Sequence, residues 1–250
     1  MRTTRQRHRL ERPACTAWAR GACLLAVLLA VLTSTNPTHA EEPTAAHESV
    51  WPNTLTVVTD SVALVIGNAL RAALPDWRIA VLGRPALMVN QAVPEFLKDK
   101  NVGSVVVVGL GYNSQFEKDR RNEARWITLW DYRADHLIAS LKQRGAKKVI
   151  WLTLREPSLE IVTRKGRAQY ELYAWYFPYV NERIRELAKR HPEVIVADWA
   201  SVSDVPDVTT DLIHLNKAGA KLMAETIAHA VNAPSRASAA STRAPVSPNL

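Results

Sequence analysis

At 250 residues, 47% apolar and 22% charged, the chain has enough hydrophobic content for a sizeable core, and its composition excludes fibrous and disordered classes. Its 32 Lys and Arg against 24 Asp and Glu give a net charge of +8, but the excess is not on the body of the chain. Met1 to Arg20 holds six arginines against Glu11, whereas residues 41–232 balance 24 basic with 23 acidic side chains. A surface that tracks phosphates needs clustered cations on the folded domain, so nucleic acid is not an expected partner.

The Arg-rich start leads into an apolar run of 11 residues, Ala22 to Leu32, then a polar stretch and the small Ala40. That order predicts a secretory signal peptide over 1–40, with cleavage after Ala40. The run is short of the ~20 residues a helical span needs, so no stable membrane anchor is expected after cleavage. Both cysteines, Cys15 and Cys23, would leave with the signal, which excludes disulfides and thiol catalysis from the mature form. A lead-in over 41–50 precedes one domain over 51–232, and the Ala, Ser and Pro of 233–250 predict a disordered tail.

Within the domain, apolar strand-like runs alternate with amphipathic stretches. Strands are predicted over 55–59, 79–82, 104–108, 148–152 and 194–197, and helices over 62–74, 91–98, 126–144, 173–190 and 217–231. Uninterrupted β-branched runs such as Val105 to Val108 suit a parallel sheet buried on both faces. The expected architecture is a three-layer α/β/α sandwich around a mainly parallel five-stranded sheet, whose ligands bind beyond the carboxyl ends of the strands.

The loops at that edge carry the chemistry. Ser61 follows the first strand and is expected at the start of a helix, where a hydroxyl is held on rigid elements; helix capping is the competing role. Gly83 follows the second strand and Gly111-Tyr112-Asn113 the third, Asn113 being also a good turn residue. Asp211 lies three residues before His214, so one segment can present a carboxylate and the imidazole it would orient. Aromatic side chains between Trp126 and Tyr132 and between Tyr170 and Tyr179 have helical spacing and are expected mostly in the core. No histidine and acid cluster has zinc spacing and no Gly-rich phosphate loop follows a strand, so neither metal nor cofactor is expected.

With Ser61, Gly83, the Gly111-Tyr112-Asn113 triplet and Asp211-Leu212-Ile213-His214 in this order, the chain resembles the SGNH or GDSL hydrolase family over the whole domain. The resemblance implies Ser61 as nucleophile, His214 as general base and Asp211 as its orienting acid. It implies an oxyanion hole made by the Ser61 and Gly83 backbone N–H groups and the Asn113 amide, and a structural role for Asp60. Gly83 would be glycine so that a backbone donor can approach substrate closely. Thr59 stands where the first block normally has glycine. Thr59-Asp60-Ser61-Val62 also looks like the variant first block of SGNH domains that accompany membrane acyltransferases of surface polysaccharides. The implied function is a secreted or cell-envelope serine esterase acting on O-acyl, including O-acetyl, esters of a small molecule or glycan. Two alternatives remain open: an O-acyltransferase using the same residues, and a catalytically silent glycan-binding module.

Overall fold

The computed structural model describes residues 53–117, 122–162 and 166–234; the expected signal peptide and most of the expected tail lie outside them. Five strands, β1 (Thr54–Thr59), β2 (Arg78–Gly83), β3 (Val105–Gly109), β4 (Lys148–Leu152) and β5 (Val194–Ala197), form one sheet in the order β2-β1-β3-β4-β5. All four neighbouring pairs are parallel. β3 lies at the centre with every residue buried, as its unbroken valine run requires.

The main helices are α1 (Gly67–Ala73), α2 (Glu123–Gln143), α3 (Arg167–Tyr173), α4 (Phe177–Arg190), α5 (Trp199–Ser203) and α6 (Lys217–Asn232). α1 packs with α6 over one face of the sheet, and α2 packs with α4 over the other. The core joins both layers to the sheet, with Trp130 of α2 tilted against Trp151 of β4 at 5.8 Å between rings. Because the chain leaves β1 for one side and then returns across it to β3, the strand order reverses between β1 and β3. That reversal opens a crevice at the carboxyl edge.

Three helices depart from the sequence expectation. The segment expected over 62–74 begins with a turn at Ser61 to Ala63 and a 3-10 turn, Leu64–Ile66, before α1 starts. The 91–98 segment is a 3-10 turn, Val89–Gln91, and a π-helical turn, Val93–Leu97, with Pro94 near the start of the latter. The stretch expected over 173–190 holds only the last residue of α3 and then all of α4, with Pro178 in the first turn of α4, where a missing N–H costs no helical bond.

β1 ends on a buried threonine in place of a glycine, and its neighbours make room for it. Thr59 pairs in register with Gly83 on one side and Gly109 on the other. Its hydroxyl lies 3.2 Å from the Gly109 carbonyl and 3.1 Å from that of Asp60. A Cβ at 83 would fall 1.9 Å from the Thr59 carbonyl oxygen, and one at 109 would fall 2.9 Å from its hydroxyl. A close approach that requires glycine at 83 is therefore already present at the neighbouring strand.

Candidate active site

Ser61 sits in the turn after β1, at the reversal of strand order, half-buried. It is not a helix cap: the N-cap residue of the 3-10 turn is Ala63 and that of α1 is Ile66, neither with a side-chain cap. His214 arrives from the other end of the chain on the loop before α6. Its Nε2 lies 3.0 Å from the Ser61 hydroxyl, and its Nδ1 lies 2.7 Å from Asp211 Oδ2. With Nδ1–H donating to the carboxylate, Nε2 is left to accept from the serine hydroxyl.

Asp211 is held in turn. Its Oδ1 accepts from the backbone N–H groups of His214, at 2.8 Å, and Ile213, at 3.2 Å. Partial burial works to raise this carboxyl, but those two bonds and the imidazole outweigh it and hold the group below the usual carboxylate range. The competing role, capping of α6, belongs to Asn216, whose side chain accepts from the Gly219 N–H at 3.0 Å. Asp211 is thereby free to serve the histidine.

Asn113 stands beside the same turn. Its amide donates to Asp60 Oδ2 at 2.9 Å, while Asp60 Oδ1 accepts from the Val62 N–H at 3.0 Å. An amide carries two N–H groups on one plane, so fixing one on Asp60 fixes the direction of the other. Asp60 thus does more than bond nearby backbone: it ties the third-strand loop to the serine turn. Among the sequence-predicted residues, Ser61, His214 and Asp211 come together directly, and Asn113 joins them through Asp60. Gly83 ends β2 in register beside Thr59, two residues before the serine.

Asp60 is wholly buried, and burial pushes its carboxyl up to about 7 against the opposing pull of the Val62 and Asn113 bonds and of His214. An unfolded carboxyl titrates near 4. Between about 4 and about 7 the unfolded chain releases this proton while the folded chain keeps it, so the stability that this group contributes falls as pH rises through that window and levels off above it. Asp60→Asn should remove that dependence. The difference in unfolding free energy between wild type and Asp60→Asn, measured by denaturant titration from pH 4 to 8, should decline toward pH 7; parallel profiles would contradict it. Asp211 titrates in both proteins and cancels.

Solved structures give the arrangement a context. The chain superimposes on the acetyl xylan esterase AlAXEase with a TM-score of 0.56 at 16% identity, covering 71% of this chain and 99% of that one. It superimposes on a GDSL-like lipase from Bacteroides thetaiotaomicron with a TM-score of 0.55 at 16% identity, covering 72% and 87%. The chain has the SGNH/GDSL hydrolase fold.

No family model matches the chain. In sequence it is 27% identical over 184 residues to the O-acetyltransferase OatA of Staphylococcus aureus, which covers 72% of this chain. The chain spans about a quarter of the length of that relative (25%). In this SGNH fold the aromatic residues singled out by spacing separate by burial: Trp126, Trp130, Tyr176 and Phe177 are core, and Tyr132 is exposed on α2. Arg155, just after β4, belongs to no block of the family motif, yet it reaches the loop that carries Asp211 and His214. Its signal in the sequence is a cation directly following Val149 to Leu154, a run apolar but for Thr153.

Proposed function

We propose that the protein is a serine esterase of SGNH type that removes acyl groups, including acetyl, from O-acyl esters. The observation that carries this is the hydrogen-bonded chain Ser61–His214–Asp211, at 3.0 and 2.7 Å, at the crevice of the sheet edge. Ser61 Oγ attacks the ester carbonyl carbon as its proton passes to His214 Nε2, and Asp211 stabilises the imidazolium. Charge gathers on the carbonyl oxygen, for which the Ser61 and Gly83 N–H groups and the second amide proton of Asn113 are the proposed donors. His214 returns the proton to the departing alcohol, leaving an acyl group on Ser61, and the same base then activates water to release it. These steps use side-chain and backbone groups alone.

The similarity to O-acetyltransferase OatA favours a second reading, in which a sugar hydroxyl takes the acyl group from Ser61 in place of water. A glycan of the cell envelope would then be substrate in either direction, in keeping with export by the proposed signal over 1–40. Product analysis of acetyl donor consumption, with and without an oligosaccharide acceptor, separates the two: free acetate in both cases supports the esterase, and acetylated acceptor supports the transferase. Retention of the donor with tight glycan binding would favour a silent module instead.

Asn113→Ala tests the oxyanion assignment. Loss of one donor should lower kcat by about 10²–10³ with little change in KM. It also strands a buried oxygen of Asp60, so unfolding free energy should fall by about 1–3 kcal/mol. If Asn113 serves the loop alone, kcat measured well below the melting midpoint stays near wild type.

A further inference from the structure

We infer that Arg155 is a positioning residue that holds the Asp211–His214 turn against the sheet edge, an inference that rests on the serine mechanism proposed above. Arg155 follows β4 and is 1% exposed, yet its guanidinium makes no ion pair with a carboxylate among the described residues. It meets oxygens at the end of α5 and on the loop between α5 and α6 instead. Nε donates to the Ser203 carbonyl at 2.8 Å, Nη2 to the Val205 carbonyl at 2.9 Å, and Nη1 to the Thr209 hydroxyl at 2.9 Å and the Leu212 carbonyl at 2.8 Å. The last of these lies between Asp211 and His214.

Such a constellation is more than a buried cation finding acceptors. Leu212 has a φ of +73°, in the left-handed region that non-glycine residues avoid, and its carbonyl is one of the four oxygens turned to the guanidinium. The rest of the turn is closed by Thr210, whose backbone N–H donates to the His214 carbonyl at 2.8 Å, and by the bridge between Thr209 and Leu215. Those bonds shape the turn but lie within it. Arg155 connects it to the loop after β4, which is itself anchored where the Arg155 N–H donates to the Tyr112 hydroxyl at 2.7 Å. Tyr112 is the middle residue of the Gly111-Tyr112-Asn113 triplet. One residue therefore links the histidine loop to the loop that presents Asn113.

Burial lowers the Arg155 pKa, but guanidinium stays charged at any working pH, and its planar fork spreads donors over four oxygens. A lysine offers three donors from a single atom and cannot span Ser203, Val205, Thr209 and Leu212. Placement of the base within a fraction of an ångström matters to a proton transfer, and a misplacement of about 1 Å costs about 10²-fold in rate.

The test compares wild type with Arg155→Lys, with Thr209→Val, which deletes one acceptor, and with Leu187→Ala, which loses buried volume on α4 away from the site. Each is measured for kcat and KM on an activated ester, for the rate of fluorophosphonate labelling, and for the low-field proton resonance of the His214 Nδ1–H. Arg155→Lys should lose about 10²-fold in kcat with KM within about twofold, and its low-field resonance should broaden or vanish. Thr209→Val should move both readouts in the same direction by less, while Leu187→Ala should lower the melting midpoint and keep kcat. The proposal is overturned if Arg155→Lys loses activity only in proportion to its unfolded fraction and keeps the resonance. Should Arg155→Lys fail to fold, wild-type kcat and an intact resonance in Thr209→Val overturn it equally. Absence of label on wild-type Ser61 would instead defeat the serine mechanism, and the resonance would still report whether Arg155 holds His214.

Discussion

Ser61→Ala should remove turnover of an activated ester, with kcat falling by about 10⁶-fold, and should abolish fluorophosphonate labelling altogether. The side chain is small, half-buried, and bonded to the partly exposed His214 side chain. Its removal leaves Asp60, Asn113 and the Val62 N–H bond in place, so unfolding free energy should change by no more than about 1 kcal/mol. Catalysis and folding are separable at this position, unlike at Asn113. A label that persists in Ser61→Ala, or that maps to Ser114 or Ser104 in wild type, would move the nucleophile elsewhere.

His214→Ala should cost nearly as much, also about 10⁶-fold in kcat, because serine and histidine act as a unit and neither alone preserves the reaction. The losses should not add: the double variant should be no slower than either single one. Asp211 keeps its bonds from the backbone N–H groups of Ile213 and residue 214, so the turn should persist around the missing imidazole. Because the His214 side chain is partly exposed, the gap opens to solvent, and added imidazole should restore part of the turnover. Recovery with imidazole in His214→Ala but not in Ser61→Ala separates loss of the base from loss of the nucleophile. Equal loss without rescue, accompanied by a large fall in melting midpoint, would instead mark His214 as structural.

What the sequence disclosed was set by which interactions are local. The five strands were legible because each is a short run of apolar or β-branched residues, and β4 and β5 begin and end where the pattern does. The pairing of Asp211 with His214 was legible because three residues separate them and both bonds to Asp211 Oδ1 come from the intervening turn. Prolines 94 and 178 marked where helical periodicity overran: each sits in the first turn of a segment that the pattern had extended backwards.

Non-local contacts stayed hidden. The parallel register sets Gly83 against Thr59 and leaves no room for a Cβ there, and no spacing along the chain reveals a register. The same holds for the bond between Asp60 and Asn113, 53 residues apart, and for the guanidinium of Arg155 and the Leu212 carbonyl, 57 apart. Thr59 stands where the first block normally has glycine, and the glycines that make room for it lie on both flanking strands.

The central claim, an acyl group carried on Ser61, is tested most directly by trapping that intermediate. Wild-type protein is mixed with an activated acetyl ester, quenched in acid within the first turnovers, weighed intact and then mapped by peptide. The account predicts protein heavier by one acetyl group, with the group on the peptide containing Ser61, and no such species in Ser61→Ala. Turnover by wild type without any trapped adduct under these conditions, or an adduct on another residue that survives in Ser61→Ala, would contradict it.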